Sequence, residues 1–77
     1  MRIKILAFGK IAEILSRTEW EMEQIASTEV LRNQLETEYP ALKDLRYLMA
    51  VDKKIVAGEC VLEDGVVVAL LPPFSGG

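Results

Sequence analysis

Six consecutive apolar residues, Val66 to Leu71, lie near the end of this 77-residue chain. They follow Asp64-Gly65, a dipeptide typical of tight turns because glycine adopts positive φ without steric cost. An apolar run of this length after a turn is typical of a strand that is buried on both faces. We therefore predict a sheet in which residues 66–71 form a central strand.

Four further segments have strand patterns. Residues 1–8 and 18–25 alternate with period two, and in the second segment Glu19, Glu21 and Glu23 form the outward row that discourages pairing at a sheet edge. Residues 47–51 and 54–56 are also predicted as strands, joined by a turn at Asp52-Lys53.

Two segments are predicted as helices. Residues 10–16 place apolar side chains at helical spacing over about two turns. The main helix is capped by Ser27, buries a stripe of Leu31, Leu35 and Tyr39, and is closed by Pro40. The predicted order is strand, short helix, strand, helix, strand, short strand and strand.

Composition limits the chemistry of the chain. Seventy-seven residues with 51% hydrophobic content fit one small domain around one core. The absence of histidine and the single cysteine, Cys60, exclude a disulfide within the chain, a Cys/His zinc cluster and a histidine general base. Cys60 is predicted to be a small buried hydrophobe. The net charge of −3 argues against nucleic acid, and no apolar run suits a signal peptide or membrane span, so a cytoplasmic location is expected.

The last six residues differ from the rest of the chain in that four of them are proline or glycine. Two prolines direct the chain away from the sheet in an extended form, and fully extended the segment 72–77 spans about 20 Å. Gly76 and Gly77 can enter a channel too narrow for a side chain, and the α-carboxylate of Gly77 is the reactive group at the tip. A frayed, inert terminus is the alternative interpretation.

Residues 62–77, LEDGVVVALLPPFSGG, resemble the MoaD type of the MoaD/ThiS sulfur-carrier family, whose members end in a D-G turn, an apolar strand and P-P-x-S/T-G-G. The rest of the chain matches the family pattern in the same order. The matching parts are residues 3–9, the short helix that follows them, the cap at Ser27 and Ala50-Val51-Asp52. Asp52 stands where the family usually has Asn, and Phe74 where Val is common.

The resemblance implies an α+β, β-grasp (ubiquitin-like) fold of one domain, 1–77, with the first and last strands parallel at the sheet centre. It implies the small subunit of molybdopterin synthase, a sulfur carrier whose Gly77 is adenylated and converted to a thiocarboxylate. The expected partners are the large subunit (MoaE type), with which it would form a heterotetramer, an E1-like activating enzyme (MoeB type) that uses ATP and magnesium, and a sulfur-donor protein. No cofactor is expected on this chain, and acid–base groups would belong to the large subunit.

The sequence also predicts a surface for the partner. Ile3 and Ile5 occupy the core face of the first strand, which leaves Leu6 and Phe8 on the opposite face. The full predicted set consists of Leu6, Phe8, Leu70, Leu71, Pro72, Pro73, Phe74 and Ser75, with Gly76 and Gly77 as the reactive end.

Two other functions stay open at this point. One is a related carrier for thiamine or another sulfur pathway, or a ubiquitin-like modifier conjugated through Gly77. The other is a binding domain with an inert tail, for which removal of Gly76-Gly77 would have no effect.

Overall fold

A computed structural model describes residues 2–72 of the chain as one sheet with its helices packed against it. The strands are β1 (Arg2–Ala7), β2 (Glu19–Glu23), β3 (Leu48–Val51), β4 (Lys54–Val56) and β5 (Val67–Leu71). The helices are α1 (Gly9–Leu15) and α2 (Thr28–Glu38), followed by a 3₁₀ helix at Pro40–Asp44. Apart from the 3₁₀ helix, the order is the predicted one.

The sheet is mixed, with the strand order β2-β1-β5-β3-β4. Strands β1 and β5 are parallel neighbours, and the other neighbouring pairs are antiparallel. The first and last strands are therefore adjacent within the sheet, and β2 is an edge strand. This topology, with the helices on one face, is the one that the β-grasp prediction requires.

One face of the sheet forms the core. Alternate residues of β1 and β5 point towards the helices, where they meet the buried side chains of α1, α2 and the 3₁₀ helix. The most fully buried large side chains are Ile3, Ile5, Ile11, Ile25, Leu31, Leu35, Leu42, Met49, Leu62 and Leu70. Among residues 2–72, no buried side-chain nitrogen or oxygen lacks a hydrogen-bond partner.

The predicted cap and turns are present. The Ser27 hydroxyl accepts a hydrogen bond from the Val30 amide at 3.3 Å, so it satisfies a free donor of the first turn of α2. Asp52 and Lys53 both have positive φ, as a type I′ hairpin turn requires. Gly65 has φ +86° in the turn before β5.

Segment 57–62 lies across the start of α2 and was not predicted. The Cys60 amide donates to Thr28 Oγ1 at 2.9 Å, and the Thr28 amide donates to the Cys60 carbonyl at 2.9 Å. Leu62 enters the core from this segment. Cys60 is half-buried, so the expectation of a buried residue was wrong. The backbone of Cys60, and not its thiol, holds the segment in place, so the side chain is not drawn into the core.

The prediction that residues 66–71 are buried on both faces was also wrong. The strand begins at Val67, and its residues alternate between fully buried and half-buried. The helices cover only the face that carries Val68 and Leu70, so Val67, Ala69 and Leu71 lie on an open face.

No helix within residues 2–72 is long and apolar enough to cross a membrane.

Candidate functional site

The open face of the sheet, here called the outer face, is divided into an apolar and a charged half. Cross-strand register assigns its residues, because directly opposed residues point to the same face. The residues of the apolar half that register assigns are Leu6, Leu48, Ala50, Ile55, Val67, Ala69 and Leu71. Phe8 joins them because it continues the alternation of β1, after buried Ala7. The charged half lies on β2 and the start of β1 and contains Arg2, Lys4, Glu19, Glu21 and Glu23.

Phe8 and Ile55 are the most exposed side chains of the apolar half. Phe8 is 47% exposed directly after β1, and Ile55 is 56% exposed on the edge strand β4. Between them, the residues of β5 and β3 are half-buried or buried by their neighbours. A continuous apolar face that includes two large exposed side chains is typical of an interaction surface.

The charged half is organised by two ion pairs. Arg2 lies 3.5 Å from Glu21, and Lys4 lies 3.2 Å from Glu19. All four side chains are largely exposed, so each pair contributes about 0–1 kcal/mol to stability. The row of glutamates on the edge strand β2 is as predicted, and it keeps this edge polar.

The tail leaves the domain at the junction of these elements. The Phe8 amide donates to the Leu70 carbonyl at 3.2 Å, which continues the pairing of β1 and β5 up to the end of the sheet. Pro72 follows and lies against Gly9, where a side chain's Cβ would be 3.3 Å from Pro72 Cγ. Gly9 has φ +57°, a conformation suited to glycine. The start of the tail is thus fixed by its contact with the first residue of α1.

The structure places the predicted partner residues unevenly. Leu6, Phe8 and Leu71 lie on the outer face, and Pro72 lies where the tail begins. Leu70 was a wrong assignment: it is fully buried, because its position in β5 points it at the helices. The predicted residues Pro73, Phe74, Ser75, Gly76 and Gly77 lie outside the described residues.

A second polar cluster lies away from this face. The Tyr47 hydroxyl donates to Glu36 Oε2 at 2.7 Å, and Arg32 stands 5.9 Å from the centre of the Tyr47 ring. Burial, with the Glu36 carboxylate as the next cause, raises the pKa of Tyr47 to about 12. A phenol that keeps its proton to such a pH is a poor base near neutrality.

Within residues 2–72, no three His, Cys, Asp or Glu side chains come together as a metal site.

Comparison with known proteins gives the family. The model of the ThiS family matches residues 5–77. The chain is also 35% identical over 83 aligned positions to the molybdopterin synthase sulfur carrier subunit of Chlamydomonas reinhardtii, with all of both chains covered. This chain belongs to the ThiS family. The family resemblance inferred from the residues is therefore confirmed.

Solved structures agree on the fold of this ThiS-family protein. The molybdopterin converting factor subunit 1 from Pyrococcus furiosus superposes with a TM-score of 0.86 at 21% identity, over 96% of this chain and 99% of that one. The small archaeal modifier protein 1 from Methanosarcina acetivorans gives 0.82 at 20% identity, over 99% and 96%. A complex of subunits 1 and 2 of molybdopterin-converting factor from Helicobacter pylori contains a chain with a TM-score of 0.75 at 26% identity, with both chains fully covered.

Sequence reasoning missed several residues of the outer face and of the start of the tail. Gly9 lies between the predicted strand 1–8 and the predicted helix 10–16, which was a signal for a special backbone conformation. Ala50, Ala69 and Ile55 were missed because their shared face depends on the register of three strands. Their strands were predicted, but their pairing follows only from the folded sheet.

Proposed function

We propose that this ThiS-family protein is the sulfur carrier subunit of a molybdopterin synthase and that the α-carboxylate of Gly77 carries the sulfur. The observation that supports this most directly is the position of the tail's first residue. Strand β5 ends at Leu71 on the apolar half of the outer face, so a partner docked on that face would receive the following residues. The full-length likeness to the Chlamydomonas subunit supports the same assignment.

The proposed chemistry begins with activation of a poor electrophile. An E1-like enzyme joins the Gly77 carboxylate to AMP, using ATP and magnesium and releasing pyrophosphate. A sulfur-donor protein then supplies the sulfur that displaces AMP, leaving a thiocarboxylate. The sulfur passes to a cyclic pyranopterin precursor bound by the large subunit, whose side chains provide acid–base catalysis. This chain needs no histidine for that role, since its part is to carry and present the sulfur.

The apolar half is proposed to dock on the large subunit. Phe8, Leu6 and Leu71 form the side of it next to the tail, so docking and presentation of the tail are coupled through β1 and β5. The charged half lies beside this surface, and its paired charges form a polar rim next to the apolar half. Two carriers and two large subunits are expected in the assembled synthase.

The first experiment measures the intact mass of the untagged protein after incubation with the activating enzyme, ATP, magnesium and the sulfur donor. A mass increase matching the replacement of one oxygen by sulfur, localised to Gly77 by fragmentation, is expected. Deletion of Gly77, or addition of one residue after it, should abolish the mass increase. The far-UV circular dichroism spectrum, which reports the secondary structure, should stay unchanged. An unmodified wild-type chain under conditions that modify a known carrier would contradict the proposal.

The second experiment assigns the pathway. The thiocarboxylated protein is mixed with the large subunit and the pyranopterin precursor, and the dithiolene product is counted against the carrier used. Each carrier brings one sulfur and the dithiolene contains two, so two carriers should be consumed per product. Sulfur delivered to thiazole synthesis with the pyranopterin left untouched would assign the chain to a thiamine pathway instead.

A further inference from the structure

The apolar half contains a preformed depression of about 250 Å³. It opens on the outer face above β1, β5 and β3. Four apolar side chains and one turn line it: Leu6, Ala50, Val67, Ala69 and Asp52-Lys53.

The depression results from two small residues in the middle of the sheet. Leu6 is opposite Ala69, Ala69 is opposite Ala50, and Ala50 is opposite Ile55. These pairs form one row across four strands, in which two methyl groups stand between two long side chains. The alanines therefore form a low floor beside Leu6, and Ile55 ends the row on β4.

The end of the depression nearest the turn is fixed by two hydrogen bonds. The Asp52 amide donates to the Val67 carbonyl at 2.9 Å, and Asp52 Oδ1 accepts from the Val67 amide at 3.0 Å. These two bonds hold the Asp52-Lys53 turn against the start of β5. Because the turn and Val67 are held together, the depression exists without a partner and costs little ordering entropy to fill.

We infer that the large subunit inserts one large apolar side chain, such as leucine, methionine or phenylalanine, into this depression. The inference rests on the proposed function and adds the chemistry of the partner's anchor. A cavity of about 150 Å³ lined by apolar groups holds a benzene molecule, so the size suits one such side chain. The methyl floor offers no partner to a charged group, which would lose its hydration there.

Continuity with the tail favours the large subunit as the occupant. The depression lies on β1 and β5, Leu71 ends β5, and Phe8 directly follows β1. An anchor seated here therefore holds the partner beside the first residue of the tail. Side chains that fill a pocket and are shielded from water contribute most to affinity at an interface. A second copy of the chain is less favoured as the occupant, since each copy carries a net charge of −3.

The test fills the depression from inside. Ala69→Leu places a larger side chain on the open floor, and Ala69→Val is a smaller, strand-compatible change. The matched control is Ala41→Leu, the same substitution at an exposed position of the 3₁₀ helix. Binding of each folded variant to the large subunit is measured by calorimetry, with folding checked by urea unfolding.

Ala69→Leu is expected to weaken binding by about 30-fold or more, Ala69→Val by less, and Ala41→Leu not at all. If wild type binds and both Ala69 variants bind equally well, the inference is overturned while the proposed function stands. If wild type itself does not bind a large subunit, the proposed function fails.

The occupant is identified by nuclear magnetic resonance on the complex. The methyl groups of Ala50 and Ala69 should show contacts with an aliphatic or aromatic side chain of the large subunit. Contacts with a charged side chain, with a second copy of this chain, or with residues 73–77 of the same chain would each overturn the inference.

Discussion

Gly9 combines a positive φ of +57° with close packing against Pro72, and these two constraints can be separated. Gly58 also has a positive φ, +77°, but a Cβ there would meet nothing within 4 Å. The left-handed conformation costs a residue with a side chain about 1–2 kcal/mol, so alanine at either position should lower the free energy of unfolding by about that amount. Only Gly9→Ala should also displace the start of the tail.

We therefore expect Gly9→Ala to slow sulfur transfer to the pyranopterin, and Gly58→Ala to leave that rate unchanged. Urea unfolding gives the stabilities, and single-turnover assays with thiocarboxylated protein give the rates. Equal transfer rates for the two variants would mean that the contact with Pro72 does not direct the tail.

The raised pKa of Tyr47 predicts that the free energy of unfolding falls at high pH. Its pKa is raised from 10.0 to about 12, first by burial and then by Glu36, so the folded state retains a proton that the unfolded state loses above pH 10. The stabilising contribution is complete below pH 10 and is lost as the pH rises to about 12. Tyr47→Phe should show a smaller fall in unfolding free energy over that interval, measured by urea unfolding. The same fall in both proteins would refute the assignment.

Single residues also show which structural features can be predicted from the local sequence. Ser27 was predicted correctly as a cap because a helix start requires only local information. Leu70 was assigned to the wrong face because an apolar run has no alternation to indicate which residues point inward. The burial of Leu70 follows from the register of β5 against β1 and β3, which local sequence does not contain.

Among the elements, segment 57–62 is held at the start of α2 in part by the side chain of Thr28. Thr28 Oγ1 accepts from the Cys60 amide and donates to the Gly58 carbonyl at 3.4 Å, and Thr28 is 1% exposed. Thr28→Val keeps the shape but leaves the Cys60 amide without its partner, which should cost about 1–3 kcal/mol. Thr37→Val is the matched control, since exposed Thr37 bonds only within its own helix.

The Cys60 thiol reports the opening of this segment. A thiol reagent should react faster with Cys60 in Thr28→Val than in wild type, and Thr37→Val should react at the wild-type rate. An unchanged reaction rate in Thr28→Val would show that other contacts, such as the burial of Leu62, hold the segment by themselves.

The elements differ in how far local sequence specifies them. Strands β1 and β2 and helix α2 were predicted because each alternates or repeats with its own period. The 3₁₀ helix was missed because Pro40 indicates the end of α2, although proline also suits the first position of a new helix. Segment 57–62 was missed because its partner, Thr28, is distant in sequence.

For the whole molecule, the helices cover one face of the sheet and leave the other open. No helix or strand within residues 2–72 packs on that outer face. The apolar composition of β5 predicts burial within the chain, yet half of that apolar surface is available to a partner. Sequence alone cannot separate these cases, because a face buried by a partner and a face buried by a helix require the same residues.

This division of the molecule predicts that the same charge introduced on its two sides will have different effects. Phe8, 47% exposed, lies on the outer face, and Val61, 76% exposed, lies in segment 57–62 beside the start of α2. Phe8→Asp should weaken binding to the large subunit by more than about 2 kcal/mol, because it places an unpaired carboxylate within an apolar interface. Val61→Asp adds the same charge outside that interface, so its affinity should stay within about 0.5 kcal/mol of wild type.

Calorimetry at two salt concentrations separates the interface from general charge effects. A loss caused by Phe8→Asp at the interface should persist at high salt, since desolvation of a buried carboxylate is little screened. If both variants lose affinity equally and high salt restores it, the loss reflects the net charge of the chain, and the outer face is not where the large subunit binds.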